Sequence, residues 1–562
     1  MNISRRDFLK GAAAAILLGH AFPGPKIWAD SVPNGFRNMG DSLKKVWEAT
    51  TLKRRIFPET SVLNRILGIP QFVDGENFCV RHEIGRNPKA IADAPKTLLF
   101  FGHITDLHLI DEESPARTVA AEPYLEQMGV RSAFRPQEDL NPWVLSSMVK
   151  TLNKLTAQSK MDFLLNTGDS VDNCQENELL WFLSVLQGGE VDPDSGADED
   201  PVPGPFNDAN DSFVSEGFSH SVPYYNAIGN HDILLQGNVP PDIRELYNAI
   251  VKKYLEVMVI DDPFGHHSNA VITPWANPPD PATLKPGELV ADSRRRPLKG
   301  KDFIQLHLQK QGKRPFLGFP ASLAGREFGY YSVYPKSGLP VKMIVLDTAL
   351  RVGTALGAID KNQYDQFLIP ELEKAKANQE LVIVVSHHPS SDIKTLAETR
   401  SVMTQNYGKT EALRGMIEEL VQEINARDEY ISRANFEETL KAYPNVFLHI
   451  AGHKHSHKIT PVGENGNGYW QVQTGALMEY PQQSRLFEIV YEGNGVGAIQ
   501  TCVVDHESQP DSLADCARKI AYQDAHGSRG SEESREDRFT GKAQDRNAVL
   551  RFPIPPDIAN KL

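Results

Sequence analysis

Cysteine is scarce. The 562 residues contain four, at Cys79, Cys174, Cys502 and Cys516. No two have C-x-x-C spacing, which excludes a thiolate metal knuckle or a dithiol redox motif of that kind. Cys502 and Cys516 are close enough in sequence to bridge a C-terminal loop in an oxidising compartment, although four unpaired, buried thiols is the favoured reading. Positive charge is also in deficit. Fifty-nine Lys and Arg against 73 Asp and Glu give a formal net charge of -14, which argues against general binding to nucleic acid or an anionic membrane. Long apolar runs are missing too. The stretch Gly11 to Phe22 falls well short of the roughly 20 residues needed to span a bilayer, and no other run comes closer, so no stable membrane anchor is expected. Internal repeats are absent. What remains, 40% hydrophobic and 23% charged residues, is ordinary globular composition. The length suits one large α/β domain with insertions, or two or three smaller ones.

The N-terminus reads as an address. Ser4-Arg5-Arg6-Asp7-Phe8-Leu9-Lys10 resembles the twin-arginine export pattern. The short apolar stretch follows, and Ile27-Trp28-Ala29 ahead of Asp30 offers a small-residue cleavage site. Residues 1–29 are therefore expected to be a signal peptide, the export machinery to be a partner, and the mature chain to be periplasmic or extracellular. No cysteine follows the signal to accept a lipid. Twin-arginine export moves folded proteins, so metals can be loaded in the cytoplasm before competing ions are met.

Short β-rich runs alternate with helical stretches, which points to an α/β architecture. The strand-like runs are Thr97 to Phe101, Asp162 to Leu165, Pro223 to Ile228, Val341 to Leu346, Leu381 to Val385 and Val446 to Ile450. Helices are expected over Asp41 to Leu52, Pro142 to Leu155, Asp242 to Val257, Lys361 to Ala377 and Lys409 to Ile424. The chain divides into an N-terminal extension (30–95), a catalytic domain (96–510) and a C-terminal extension (511–562), whose stretch from His526 to Arg546 is charged and reads as irregular. Two insertions stand out. Gly188 to Ser219 is acidic and reads as a solvated loop; Asp192, Asp194, Asp198, Glu199 and Asp200 lack a calcium-loop pattern. Ser293-Arg294-Arg295-Arg296 reads as a solvated basic patch, with contact to an anionic substrate as the alternative.

Polar clusters follow five of these runs: Asp106-Leu107-His108, Gly168-Asp169-Ser170-Val171-Asp172, Gly229-Asn230-His231-Asp232, His387-His388-Pro389 and Gly452-His453-Lys454-His455. Ligands in α/β folds gather beyond the carboxyl ends of strands, so all five are placed to share one site. They supply carboxylate, amide and imidazole groups with no sulfur, a donor mix that suits manganese, iron or zinc.

The ordered set D-x-H, G-D-x-x-D, G-N-H-D, H-x-P and G-H-x-H resembles the calcineurin-like metallophosphoesterase superfamily, in a bacterial subgroup of exported members with long insertions. The resemblance covers roughly Thr97 to Val490. It implies an αββα sandwich with long loop insertions and two divalent or trivalent metal ions. Asp106, His108, Asp169 and His455 would hold one ion; Asp169, Asn230, His387 and His453 would hold the other, with Asp169 bridging. It further implies hydrolysis of a phosphate ester by a hydroxide held between the ions, with His231 as general acid and Asp172 orienting it. His388 would line the pocket or pack behind the ligands, and His457 would be exposed. The tyrosine that colours the purple members is missing: Ser170, Val171 and Asp172 follow Asp169, so no charge-transfer band is expected. Two other readings stay open. One is a nucleotidase or nucleotide-sugar hydrolase, which would need a C-terminal substrate domain larger than the residues after Val490 supply. The other is a non-catalytic exported metal-binding protein.

Overall fold

Continuous apolar runs, whose side chains alternate between two covered faces, build the centre of this molecule, and the chain order of its strands carries the polar clusters to one edge. The computed structural model describes residues 39–58, 70–85, 95–117, 135–197, 200–241, 270–272, 287–312, 314–395, 397–401, 430–464, 466–526 and 540–562. In chain order the strands of two large sheets are β1 (Cys79–Arg81), β2 (Lys96–Ile104), β3 (Phe163–Asn166), β4 (Tyr224–Asn226), β5 (Leu317–Gly318), β6 (Tyr331–Val333), β7 (Val341–Val345), β8 (Leu381–Val385), β9 (Val446–Ala451), β10 (Lys458–Glu464), β11 (Asn467–Gln473), β12 (Gln483–Gly493), β13 (Val496–Asp505) and β14 (Ala548–Pro553). One sheet has eight strands in the order β5-β4-β3-β2-β12-β13-β14-β1. The other has six, in the order β6-β7-β8-β9-β11-β10. Strands β5 to β2 run parallel, as do β7, β8, β9 and β11; β12 to β14 return antiparallel.

Sidedness follows from the alternation. In β7 and β8, Val341, Met343, Val345, Leu381, Ile383 and Val385 face the core shared by the two sheets. Their neighbours Ile344, Val382 and Val384 face outward, onto Leu372 and Ala375 of α5 (Ile369–Ala377) and Phe436 and Leu440 of α6 (Arg433–Lys441). Against the eight-stranded sheet pack α2 (Asn141–Gln158) and α3 (Glu176–Gln187), through Leu145, Met148, Leu152, Leu179 and Phe182. The result is an αββα sandwich. Across its middle Phe101 stacks on Phe163 at 4.3 Å and on Phe487 at 4.9 Å between ring centres, tying β2, β3 and β12 together.

Every strand expected from the sequence is found. The helix at Asp41 is shorter than expected. α1 (Asp41–Val46) gives way to a tight turn at Trp47–Ala49, and its first amides donate to the Glu488 carboxylate, Ser42 N at 3.0 Å and Leu43 N at 2.8 Å. The helices expected over Asp242 to Val257 and Lys409 to Ile424, and the signal peptide, lie outside the described residues. Segments flanking the motif-bearing region join the larger sheet: β1 pairs with β14, Arg546 grips Glu76 through two 2.6 Å contacts, and Asn547 Nδ2 donates to Glu76 O at 3.0 Å. Among the described residues no helix is long and apolar enough to cross a membrane, and all four cysteines are free.

Candidate metal centre

The carboxyl ends of β2, β3, β4, β8 and β9 turn into the five polar clusters. The turns are tight and forced. Asp106, His108, Asp169, His453 and His455 all have positive φ, between 46° and 69°, a region that side chains other than glycine seldom enter and that recurs where function demands it. Leu107 N and His108 N both donate to Asp169 O, at 2.8 and 3.0 Å, so the first two clusters are laced backbone to backbone. The motif glycines permit this approach. A Cβ at Gly229 would lie 2.1 Å from Asp169 Oδ1, and one at Gly452 would lie 2.1 Å from Thr105 Oγ1. Asp232 binds the turn from below, accepting from Ser170 N at 2.7 Å, Gly229 N at 2.8 Å and Asp169 N at 3.1 Å.

Two groups of ligand atoms face each other here. One atom each from Asp106, His108, Asp169 and His455 lie within 4.8 Å of one another, and so do one each from His387, His388 and His453; a third group, His108, Asp172 and His231, adjoins the first. Asn230 Oδ1 is 3.0 Å from His387 Nε2. Asp169 joins the groups through one oxygen. Its Oδ2 is 3.1 Å from His387 Nε2 and 3.6 Å from His108 Nε2, while its Oδ1 accepts from His231 N at 2.9 Å. Oδ2 thus faces both groups, while the backbone of the third cluster takes Oδ1.

The orientation of the rings tests whether these residues suit a metal. His108 Nδ1 is 2.8 Å from Asp172 Oδ1, His387 Nδ1 is 2.8 Å from Thr167 O, and His455 Nδ1 is 3.1 Å from Glu479 Oε2. Each Nδ1–H is thereby engaged, which leaves the Nε2 lone pair to face the centre, the arrangement that metal-binding histidines use. His108 Nε2 and His455 Nε2 stand 3.2 Å apart, both turned to one point. Asn230 is fixed likewise. Its Nδ2 donates to Gly237 O at 3.0 Å, so its oxygen faces His387. Electrostatics divide the rings. Burial lowers His387 and His455, but Asp169 beside the first and Glu479 and Asp106 beside the second push them up to about 9 and about 10, whereas burial holds His108 and His453 below the usual range. Positive charge is favoured at His387 and His455, where a cation competes with protons. The donor set fits divalent metal ions.

Asp172 lies between His108 and His231. Its Oδ1 is 3.0 Å from His231 Nδ1, which also lies 2.9 Å from Asp172 O. Burial opposes its ionisation, yet the His231 and His108 rings hold its carboxyl well below the usual range. His388 is enclosed, with Thr348 Oγ1 at 2.8 Å on one nitrogen and Ala355 O at 3.2 Å on the other. His457 is not exposed: it is 1% accessible and its Nδ1 accepts from Gly475 N and Arg485.

The sequence missed several contributors. Glu479 is gripped by Arg135 and aimed at His455. Asp392 meets Lys454 Nζ at 2.6 Å beside His453. Neither sits in a motif, and no local pattern marks them. The basic run is solvated at Arg294 but not at its centre. Arg295 is buried, bonded to Asp111 at 2.9 Å and Ser195 at 2.7 Å, while Arg294 pairs with Asp292 and Arg296 with Glu176.

Residues 2–19 match the family described as the TAT (twin-arginine translocation) pathway signal sequence, so the chain carries an export signal. No curated protein matches it. Among solved structures it is similar to a dimetal phosphatase from Danio rerio, at 12% identity over 73% of this chain and 100% of the other, with a TM-score of 0.35. It is also similar to the sulfate thiohydrolase SoxB from Thermus thermophilus in complex with glycerol, at 12% identity over 78% of this chain and 61% of that one, with a TM-score of 0.27. The resemblance of this exported chain to the calcineurin-like metallophosphoesterases rests on its ordered motifs, its αββα sheets and the meeting of its ligand groups at Asp169.

Proposed function

We propose that the protein is an exported, dinuclear metal-dependent hydrolase of phosphate esters, acting in the periplasm or outside the cell. The observation that carries this reading is the shared oxygen Asp169 Oδ2, set between His387 Nε2 and His108 Nε2. Asp106, His108, Asp169 and His455 would hold one ion. Asp169, Asn230, His387 and His453 would hold the second. Manganese, iron and zinc all suit these donors. Bound there, two cations supply Lewis acidity to phosphoryl oxygens and acidify a water molecule.

The chain's own groups do the rest. Asp172 holds the Nδ1 face of His231 and leaves Nε2 to pass a proton to the departing oxygen. Because His231 N also binds Asp169 Oδ1, the acid and the shared ligand are held in one frame. Among the described residues after Val490, β13 and β14 join the eight-stranded sheet rather than forming a separate substrate unit, which favours an esterase over a nucleotidase with its own clamp domain.

The test is hydrolysis of p-nitrophenyl phosphate and bis-p-nitrophenyl phosphate with added manganese, then with a chelator. Metal-dependent turnover of either ester is expected, and their ratio assigns monoester or diester preference. Full metal occupancy with no turnover on a broad ester panel would favour a non-catalytic metal-binding protein instead.

A further inference from the structure

Beneath the centre, five buried polar side chains form an unbroken file between the two sheets. Asp106 Oδ2 accepts from Thr105 Oγ1 at 2.8 Å, and Thr105 Oγ1 accepts from Thr167 Oγ1 at 2.7 Å. Thr167 Oγ1 lies 2.9 Å from His103 Nε2, His103 Nδ1 lies 2.8 Å from Thr474 Oγ1, and Thr474 Oγ1 accepts from Arg485 Nε at 3.2 Å. His103, Thr105, Thr167, Thr474 and Arg485 are all 0% exposed, so water does not compete for these bonds.

Proton counting fixes the direction of the whole file. An ionised Asp106 only accepts, so the Thr105 hydroxyl must donate to it. Thr167 spends its single proton on Thr105 and cannot donate to His103; His103 Nε2 must therefore carry a hydrogen and donate. Burial and the nearby Arg485 hold the His103 ring neutral, lowering it to about 3, so Nδ1 accepts and Thr474 donates to it. Thr474 then accepts from Arg485, a cation that only donates. Among the described residues Arg485 has no carboxylate partner; its other bonds go to Thr501 Oγ1, His457 Nδ1 and the carbonyls of Asp545 and Arg546. Every hydrogen in the file points at Asp106, and aligned bonds in a dry interior strengthen one another.

We propose that Arg485, Thr474, His103, Thr167 and Thr105 form a one-way hydrogen-bond relay that positions the Asp106 carboxylate at the metal centre. The relay binds Oδ2 from behind and leaves Oδ1 toward His455 Nε2, 3.4 Å away. It also joins the sheets at this point: His103 is on β2, Arg485 is on β12, and Thr474 follows β11 of the other sheet. These are positioning residues, since none touches substrate. The inference rests on the reading of Asp106 as a metal ligand.

The test uses full-length mature protein loaded with manganese(II), with bound metal counted by elemental analysis and each ion's affinity read by chelator competition. Thr474→Val keeps the shape and removes the hydroxyl; Thr474→Ser keeps the hydroxyl. We expect the wild type to hold two ions, Thr474→Val to hold one of them about 10- to 100-fold more weakly, and Thr474→Ser to restore it. Arg485→Met is a second, harsher break in the same relay, expected to weaken the same ion. A structural role alone would lower the melting temperature of Thr474→Val without singling out one ion. Unchanged affinity for both ions, equal weakening of both, or no restoration by serine would overturn the relay while leaving the hydrolase reading standing. A wild type that holds none of manganese, iron or zinc would overturn both.

Discussion

At the scale of single residues, two carboxylates divide the work. Asp169 offers one oxygen to both ligand groups and the other to His231 N. Asp172 backs His108 and His231 together. Asp169→Ala should therefore release both metal ions, measured by elemental analysis. His231→Ala should keep both and lose turnover by roughly 10²–10⁴-fold; near-normal turnover would remove His231 from the mechanism. Gly237 is a less obvious contributor. A Cβ there, at φ 64°, would sit 2.2 Å from both Asn230 Nδ2 and His231 Cδ2, so Gly237→Ala should lower kcat far more than it lowers the melting temperature. The motif residues were legible because each carries a chemistry and a spacing. Glu479, Asp392 and Gly237 were not, because they reach the centre through folding rather than through a local pattern.

At the scale of elements, the strands were legible and the insertions were not. Runs such as Leu381–Val385 are apolar at every position because both faces are covered, one by the opposite sheet and one by α5 and α6. Arg295 shows why the insertion misled. A run of three arginines reads as surface, yet three-dimensional closure supplies Asp111, Glu113 and Ser195 to bury the middle one. Arg295→Met would leave Asp111 without its cation and should cost about 3–5 kcal/mol, read by urea denaturation; a cost under about 1 kcal/mol would show the tether to be dispensable. Besides His103, two further histidines inside elements set an acid limit. His307, on the helix α4 (Gly300–Lys310), and His449, on β9, are each lowered by burial to about 4. The unfolded chain binds these protons from about pH 6.5 downward. Their contribution is therefore complete above that pH and is lost as the pH falls from 6.5 toward 4. About 2 kcal/mol from each should disappear between pH 7.5 and pH 5. Equal unfolding free energies at the two pH values would contradict this.

At the scale of the whole molecule, described segments from either side of the motif-bearing region meet. β1 pairs with β14, Thr51 Oγ1 donates to Asn547 Oδ1 at 3.0 Å, and Ile459 N donates to Asp545 Oδ1 at 2.9 Å. The larger sheet cannot close until its last residues are made, which suits export in the folded state. A chain ending at residue 539 should fail to reach protease resistance in the cytoplasm and should not be exported; a resistant, exported product would show that β14 is dispensable. These long-range pairings had no counterpart in the sequence; the stretch read as irregular, His526 to Arg546, stops short of β14, and its residues 527–539 lie outside the described residues. The central claim is that far-separated turns converge to hold two cations about Asp169. Anomalous diffraction from crystals of the metal-loaded protein tests it most directly. Two peaks are expected, one on each side of Asp169 Oδ2, with His108 and His455 beside one and Asn230 and His387 beside the other. A single peak, or peaks remote from Asp169, would contradict the account.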